Sequence, residues 1–210
     1  MTMIDTAKIE LKVFAAGSNG AANGGELDIE GLIPVFHRWV RDQCLEETMI
    51  DVADYTHVPN GPGVLLVCHD ANYSLDQGGG ETGLLYSRRR ETHPSLGNIE
   101  SLDDRLASVF RRSLEACVLL EEEPSLAGTV HFSGDRFLLW VNDRLIGRDG
   151  EEELETASKR LLARLAPEAE LSLVSATSEG GRLGHHLRLA GSPGIRSLLA
   201  EIGEPSGESE

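Results

Sequence analysis

Basic residues are scarce in this 210-residue chain: lysine and arginine number 19 against 35 aspartates and glutamates, a formal charge of −16. A field of that sign repels phosphate backbones and anionic lipids, so neither nucleic acid nor a membrane surface is an expected partner. The one basic run, Arg88-Arg89-Arg90, meets Glu91 at once and reads as a solvated strand end. Only Lys8, Lys12 and Lys159 are lysines. Aromatics make up 5% of the chain. The three cysteines, Cys44, Cys68 and Cys117, form no CxxC pair, which points to a reducing compartment with free, mostly buried thiols. No apolar run approaches the roughly 18 residues that span a bilayer. The opening MTMIDTAKIELK lacks the basic and apolar segments of a signal peptide, and the expected location is the cytoplasm.

Motifs are also missing. There is no GxxxxGK[ST], and the glycine-rich stretch Gly17 to Gly25 lacks GxGxxG spacing, so it reads as a connector and not as a phosphate cradle. GxSxG and HExxH are absent, and no His, Cys or carboxylate set has metal spacing. No metal and no organic cofactor is called for.

What is present is globular: 40% hydrophobic and 26% charged residues. A chain of this length buries roughly 70% of its unfolded surface and needs no staple to hold a core. Strands are expected at 9–16, 48–58, 64–72 and 82–88, the last three joined by the Asn60-Gly61-Pro62-Gly63 and Gln77-Gly78-Gly79-Gly80 turns into an antiparallel meander. A helix is expected from Gly31 to Cys44, with Pro34 in its first turn and Leu32, Phe36, Trp39 and Val40 on one face. The strongest element is the helix 101–123, opened by Ser101 or Asp103 and striped by Leu102, Leu106, Val109, Phe110, Leu114, Cys117 and Val118. A hairpin at 129–134 and 137–146 turning at Gly134-Asp135, a helix at 151–165, a hairpin at 170–178 and 182–190 and a helix at 194–202 follow. In 182–190, Leu183, Leu187 and Leu189 point inward and Arg182, His186 and Arg188 outward.

These elements assemble into one α+β domain over residues 1–202, a largely antiparallel sheet with helices on one face, followed by a disordered tail at 203–210. Two halves, 9–90 and 129–202, are joined by the helix 101–123. Each contains strand–helix–strand–strand, a possible duplication. That element order is similar to the small-molecule-binding domain of multidrug-responsive transcription regulators and to the SOUL haem-binding family. The likeness is one of order, without a shared motif, and it is the duplication that implies a cleft between two units.

The candidate site residues lie between Asp51 and Asp76. With a hairpin centred near residues 61–62, His57 faces about position 66 and His69 pairs near Asp54. The two histidines then stand too far apart to share a metal, whereas Asp54 could orient His69 as a general base. His69 follows the apolar run VLLVC, where a covered strand turns polar. Tyr55, His57, His69 and Trp140 are the candidate ligand contacts. His185-His186 and Cys68-His69 are adjacent pairs whose members point to opposite faces, so neither makes a joint site. The expected function is a non-enzymatic module that binds a small molecule or assembles with a protein partner. The alternatives are a small hydrolase or lyase using His69 as general base, and a scaffold that forms a homo-oligomer through an exposed strand edge.

Overall fold

The computed structural model describes residues 8–17, 29–58, 61–89, 101–126, 129–141, 148–177, 182–191 and 193–202. The elements run β1 (Ile9–Ala15), α1 (Leu32–Asp42), β2 (Met49–Tyr55), β3 (Gly63–Cys68), β4 (Ala71–Asp76), β5 (Gly83–Arg88), α2 (Leu102–Glu122), β6 (Phe132–Val141), α3 (Arg148–Leu165), β7 (Leu171–Thr177), β8 (Leu183–Leu189) and α4 (Ile195–Ile202). The eight strands form one sheet in the order β2-β3-β4-β5-β1-β6-β8-β7, with every neighbouring pair antiparallel. The expected α+β class, with helices packed against an antiparallel sheet, is what the chain adopts. No described helix is long and apolar enough to cross a membrane.

Period-two alternation decides which face is covered. Ile9, Leu11 and Val13 of β1, Leu84 and Tyr86 of β5, and Phe137 and Leu139 of β6 are all fully buried, and they share the face on which the helices sit. The long helix α2 lies over these central strands through Leu106, Val109, Phe110, Leu114 and Cys117, and the Phe110 and Phe137 rings meet at 5.3 Å. Ser101 starts it by accepting the Asp104 amide at 3.1 Å, and Asp103 and Asp104 suit the positive end of the helix dipole. α1 covers β2 and β3 with Phe36 and Trp39, and α4 packs on α2.

Two local expectations are corrected. The stretch 64–72 is not one strand: β3 ends at Cys68, the chain turns at His69-Asp70, and β4 returns as the third strand of a four-stranded meander. Its Ala71, Tyr73 and Leu75 alternate inward with Asn72, Ser74 and Asp76, a period-two pattern hidden by its polar composition. Over the described part of the hairpin expected at 129–146, residues 129–141, the chain forms a single strand, β6, and 142–146 lie outside the described residues. Gly134-Asp135 falls where the register against β1 slips from Val13↔Phe137 to Ala15↔Phe132, so the turn signal marks a bulge. Glycine is required at 134 because a Cβ there would sit 1.6 Å from the Pro193 carbonyl oxygen. Cys44 is exposed, whereas Cys68 and Cys117 are buried. The connector from Gly17 to Gly25, apart from Gly17 itself, and the tail 203–210 lie outside the described residues.

Candidate functional site

The second face of the sheet carries no described helix, and the strand registers define its surface row by row. One row reads Val174, His186, Leu138, Lys12, Leu85, Ser74, Leu65 and Ala53 across the eight strands. A second row contains Gly184, Trp140, Glu10, Ser87, Asn72, Val67 and Asp51. A third places Ser172, Arg188 and Arg136 side by side.

Most polar groups on this face are neutralised locally. Lys12, only 3% exposed, donates to Asp76 Oδ2 at 2.6 Å and to the Gly78 carbonyl at 3.0 Å. The Trp140 ring lies flat over Gly184, where a Cβ would stand 2.2 Å from the indole. Arg182 stacks over that ring at 5.3 Å and donates to Glu10 at 2.6 Å.

The third row differs. Phe14, Glu81, Arg136, Phe137, Ser172, Val174, His186, Leu187 and Arg188 line an open cleft of about 340 Å³. Arg136 and Arg188 are directly opposed across β6 and β8. Like charges in that position repel. Arg136 donates to Glu81 at 2.6 Å and lies over the Phe14 ring at 5.0 Å. Arg188 is exposed and has no ion pair among the described residues. His186 sits two residues along β8 on the same face and is exposed too. The cleft thus offers cationic donors beside the apolar surfaces of Phe14 and Val174.

The sequence-derived site does not assemble. The β2–β3 register is Asp54↔Val64 and Met49↔Cys68, so Asp54 stands about five residues, roughly 17 Å, along the hairpin from His69. The hairpin closes on Tyr55↔Gly63, with Gly63 at φ +67°, and not around residues 61–62. Asp54 instead accepts the Thr56 amide and hydroxyl at 2.9 and 2.7 Å. His69 lies in the β3–β4 turn, its side chain 58% exposed, with Nδ1 2.8 Å from Asp70 Oδ1. His69 is thus paired with its chain neighbour Asp70 and not with Asp54. Burial pushes the neighbouring Cys68 thiol up to about 12, which leaves it no thiolate character. Tyr55 and His57 are exposed at the far end of β2, remote from His69. Trp140 is half-buried on this second face, one row from His186, which lines the cleft. Among the described residues no three His, Cys, Asp or Glu side chains converge as a metal ion requires.

Two buried polar features were not anticipated. Beneath α2, Arg112 is 1% exposed and pairs with Glu46 and Glu47. The Glu47 carboxylate also accepts the Tyr73 hydroxyl at 2.7 Å and the Tyr86 hydroxyl at 3.1 Å. This network, covered at Arg112 and Glu47 and open to solvent at Glu46, pins the connection between α1 and β2 to the sheet. On the same side, His185 is fully buried and neither ring nitrogen has a hydrogen-bond partner among the described residues. Burial lowers its pKa below the ordinary 6.5. The folded state therefore resists protonation while the unfolded chain accepts a proton, so stability falls as pH drops below about 6.5. His185→Leu is expected to gain about 1 kcal/mol at neutral pH by removing an unpaired buried donor. It should also flatten the stability profile between pH 6.5 and 5.5, as urea unfolding at several pH values would report. No gain, together with an unchanged profile, would show that the imidazole is satisfied in the fold.

No protein-family model matches the chain, and no curated protein matches it.

Proposed function

We propose that this chain is a non-enzymatic binding module whose cleft on the helix-free face takes a small organic anion with an apolar body. The observation that carries the reading is the Arg136–Arg188 pair. Two arginines opposed across neighbouring strands repel each other, and the chain has only 19 basic residues to place. An anion lying between them turns that repulsion into two charge-assisted contacts. Arg136 already shares its charge with Glu81, so Arg188 is the principal donor and Arg136 the positioning partner. Phe14 and Val174 supply an apolar wall for the remainder of the ligand. At about 340 Å³ the cleft lies at the small end of the range for organic ligands. A carboxylate on a flat aromatic body suits this arrangement, because Arg136 already stacks on Phe14 and leaves its edge for a hydrogen bond.

The test is calorimetric titration with 2-naphthoate, and with 2-naphthylmethylamine as a cation of similar shape. The carboxylate should bind and the amine should not. Arg188→Glu should weaken 2-naphthoate by at least about tenfold, the equivalent of one lost hydrogen bond to a charged group. Tyr55→Ala, at the far end of β2, should leave affinity unchanged. Equal binding of both probes, or an Arg188→Glu protein that binds as tightly as the parent, would contradict the reading.

A further inference from the structure

We infer that β7 is the seam of a two-fold dimer, in which two copies of this chain pair their β7 strands antiparallel and continue one sheet across the axis. Among the described residues the sheet ends in two strands, β2 and β7. An edge presents unpaired amides and carbonyls, and charged side chains are the ordinary means of blunting it. β2 is blunted. Its Asp51 and Asp54 are both exposed, and Asp51 accepts the amide of Val52 at 2.8 Å, which occupies a backbone donor. Two copies joined there would bring carboxylates together in a chain that already carries −16.

β7 is not blunted. Its sequence LSLVSAT has no charged residue and no proline, although 26% of the chain is charged. Val174, at its centre, is 59% exposed, more than Ile50, Tyr55 or Val58. The strand is also self-complementary. A two-fold axis perpendicular to the sheet through Val174 opposes Val174 to its counterpart, Leu173 to Ser175, Ser172 to Ala176 and Leu171 to Thr177. Every pairing is uncharged, and each residue keeps its own face of the sheet. The nearest titratable group on the helix-free face, His186, lies one strand inward, so it stands three strand spacings, about 14 Å, from its twin. On the helix side, Ser175 donates to Glu151 at 3.3 Å, so that carboxylate is held toward its own strand.

The occupant is a second copy because the pairing needs no counter-charge from a partner and covers the exposed valine with its equal. The geometry adds a consequence for the cleft, although the dimer does not depend on any ligand. Ser172 and Val174 form the outer part of the cleft lining, and Val174 of the second copy would stand directly beyond them. Each cleft gains its outermost apolar wall from the other chain.

Sedimentation equilibrium of the full chain tests this. The parent should show twice the single-chain mass at micromolar concentration, and higher ionic strength should strengthen the association, since the seam is uncharged while the copies repel at long range. Val174→Lys opposes two ammonium groups at the axis and should return the single-chain mass. Asp51→Lys on β2 should leave the dimer intact. A monomeric parent, a dimer that survives Val174→Lys, or one lost with Asp51→Lys would overturn the proposal. Open-ended assemblies that grow with concentration would overturn it too, because they signal β2 pairing with β7. Amide exchange of the parent supplies a reading that needs no variant to fold. Protection of 171–177 that rises with protein concentration supports the seam, and protection that rises at 49–55 instead contradicts it.

Discussion

Replacing Arg112 with methionine is expected to destabilise the fold by about 3–5 kcal/mol, the usual cost of removing one partner from a buried ion pair. Methionine keeps the aliphatic bulk of the side chain, so the loss is electrostatic and not a cavity effect. The 1% exposed guanidinium lies against Glu46 and Glu47, and without it Glu47 is left buried with two tyrosine hydroxyls as its donors. Tyr73→Phe removes one of those donors and should cost less, about 1.5–3 kcal/mol. The effect also has a pH signature. Burial raises the Glu46 carboxyl, but the hydrogen bond and charge of Arg112, helped by Arg111, outweigh it and hold the group below its ordinary 4.5. A depressed carboxyl stabilises the fold above its unfolded pKa, and that stability is lost as pH falls below about 4.5. The Arg112→Met protein should lack this part of its acid sensitivity. Urea midpoints at neutral and acid pH measure both quantities. A midpoint within error of the parent would mean that the network is incidental.

Leu114→Ala is expected to cost about 2–5 kcal/mol, the range for deleting a buried aliphatic side chain. Leu114 is fully buried in the middle of α2, the helix that lies over β1 and β5 and touches both α3 and α4. Around it stand Phe110 and Cys117, also on the inner stripe and buried. The helix as a whole touches four elements and Leu114 is fully enclosed, so collapse around the missing methyl groups is restricted and the cost should fall in the upper part of that range. Leu102, in the first turn and only partly buried, is the comparison: its alanine variant should lose markedly less. Guanidinium unfolding of the two variants side by side gives the answer, and equal losses would show that α2 packs uniformly instead of through its centre.

Legibility in the sequence follows the physics of each signal. α2 was readable to within a residue because Ser101, Pro124 and a sustained apolar stripe all mark it. β8 was readable because Leu183, Leu187 and Leu189 alternate strictly with Arg182, His186 and Arg188. β4 was not, since Asn72, Ser74 and Asp76 on the face away from the helices dilute the hydrophobic pattern and His69-Asp70 resembles ordinary strand sequence. Gly134-Asp135 misled because the same dipeptide serves a turn and a bulge, and only the approach of Pro193 distinguishes them. The site was less legible than the fold. The outward direction of His186 and Arg188 was evident, but their meaning depends on Arg136, fifty-odd residues earlier, becoming the cross-strand neighbour of Arg188. Nothing local announces that β6 and β8 are adjacent. Likewise the pairing of Asp54 with His69 rested on a hairpin centre misplaced by a few residues, and the Tyr55↔Gly63 closure with a bulge at Ile50 moved it.

The binding reading is tested most directly by titrating 2-naphthoate into uniformly ¹⁵N-labelled protein and following the backbone amides. The account predicts that the largest shifts fall on 136–138, 172–174 and 186–188, on the three strands that carry Arg136, Val174 and Arg188, and that they vanish in Arg188→Glu. Shifts gathered instead at His69-Asp70, or at Tyr55 and His57, would contradict it and return the site to the opposite end of the sheet.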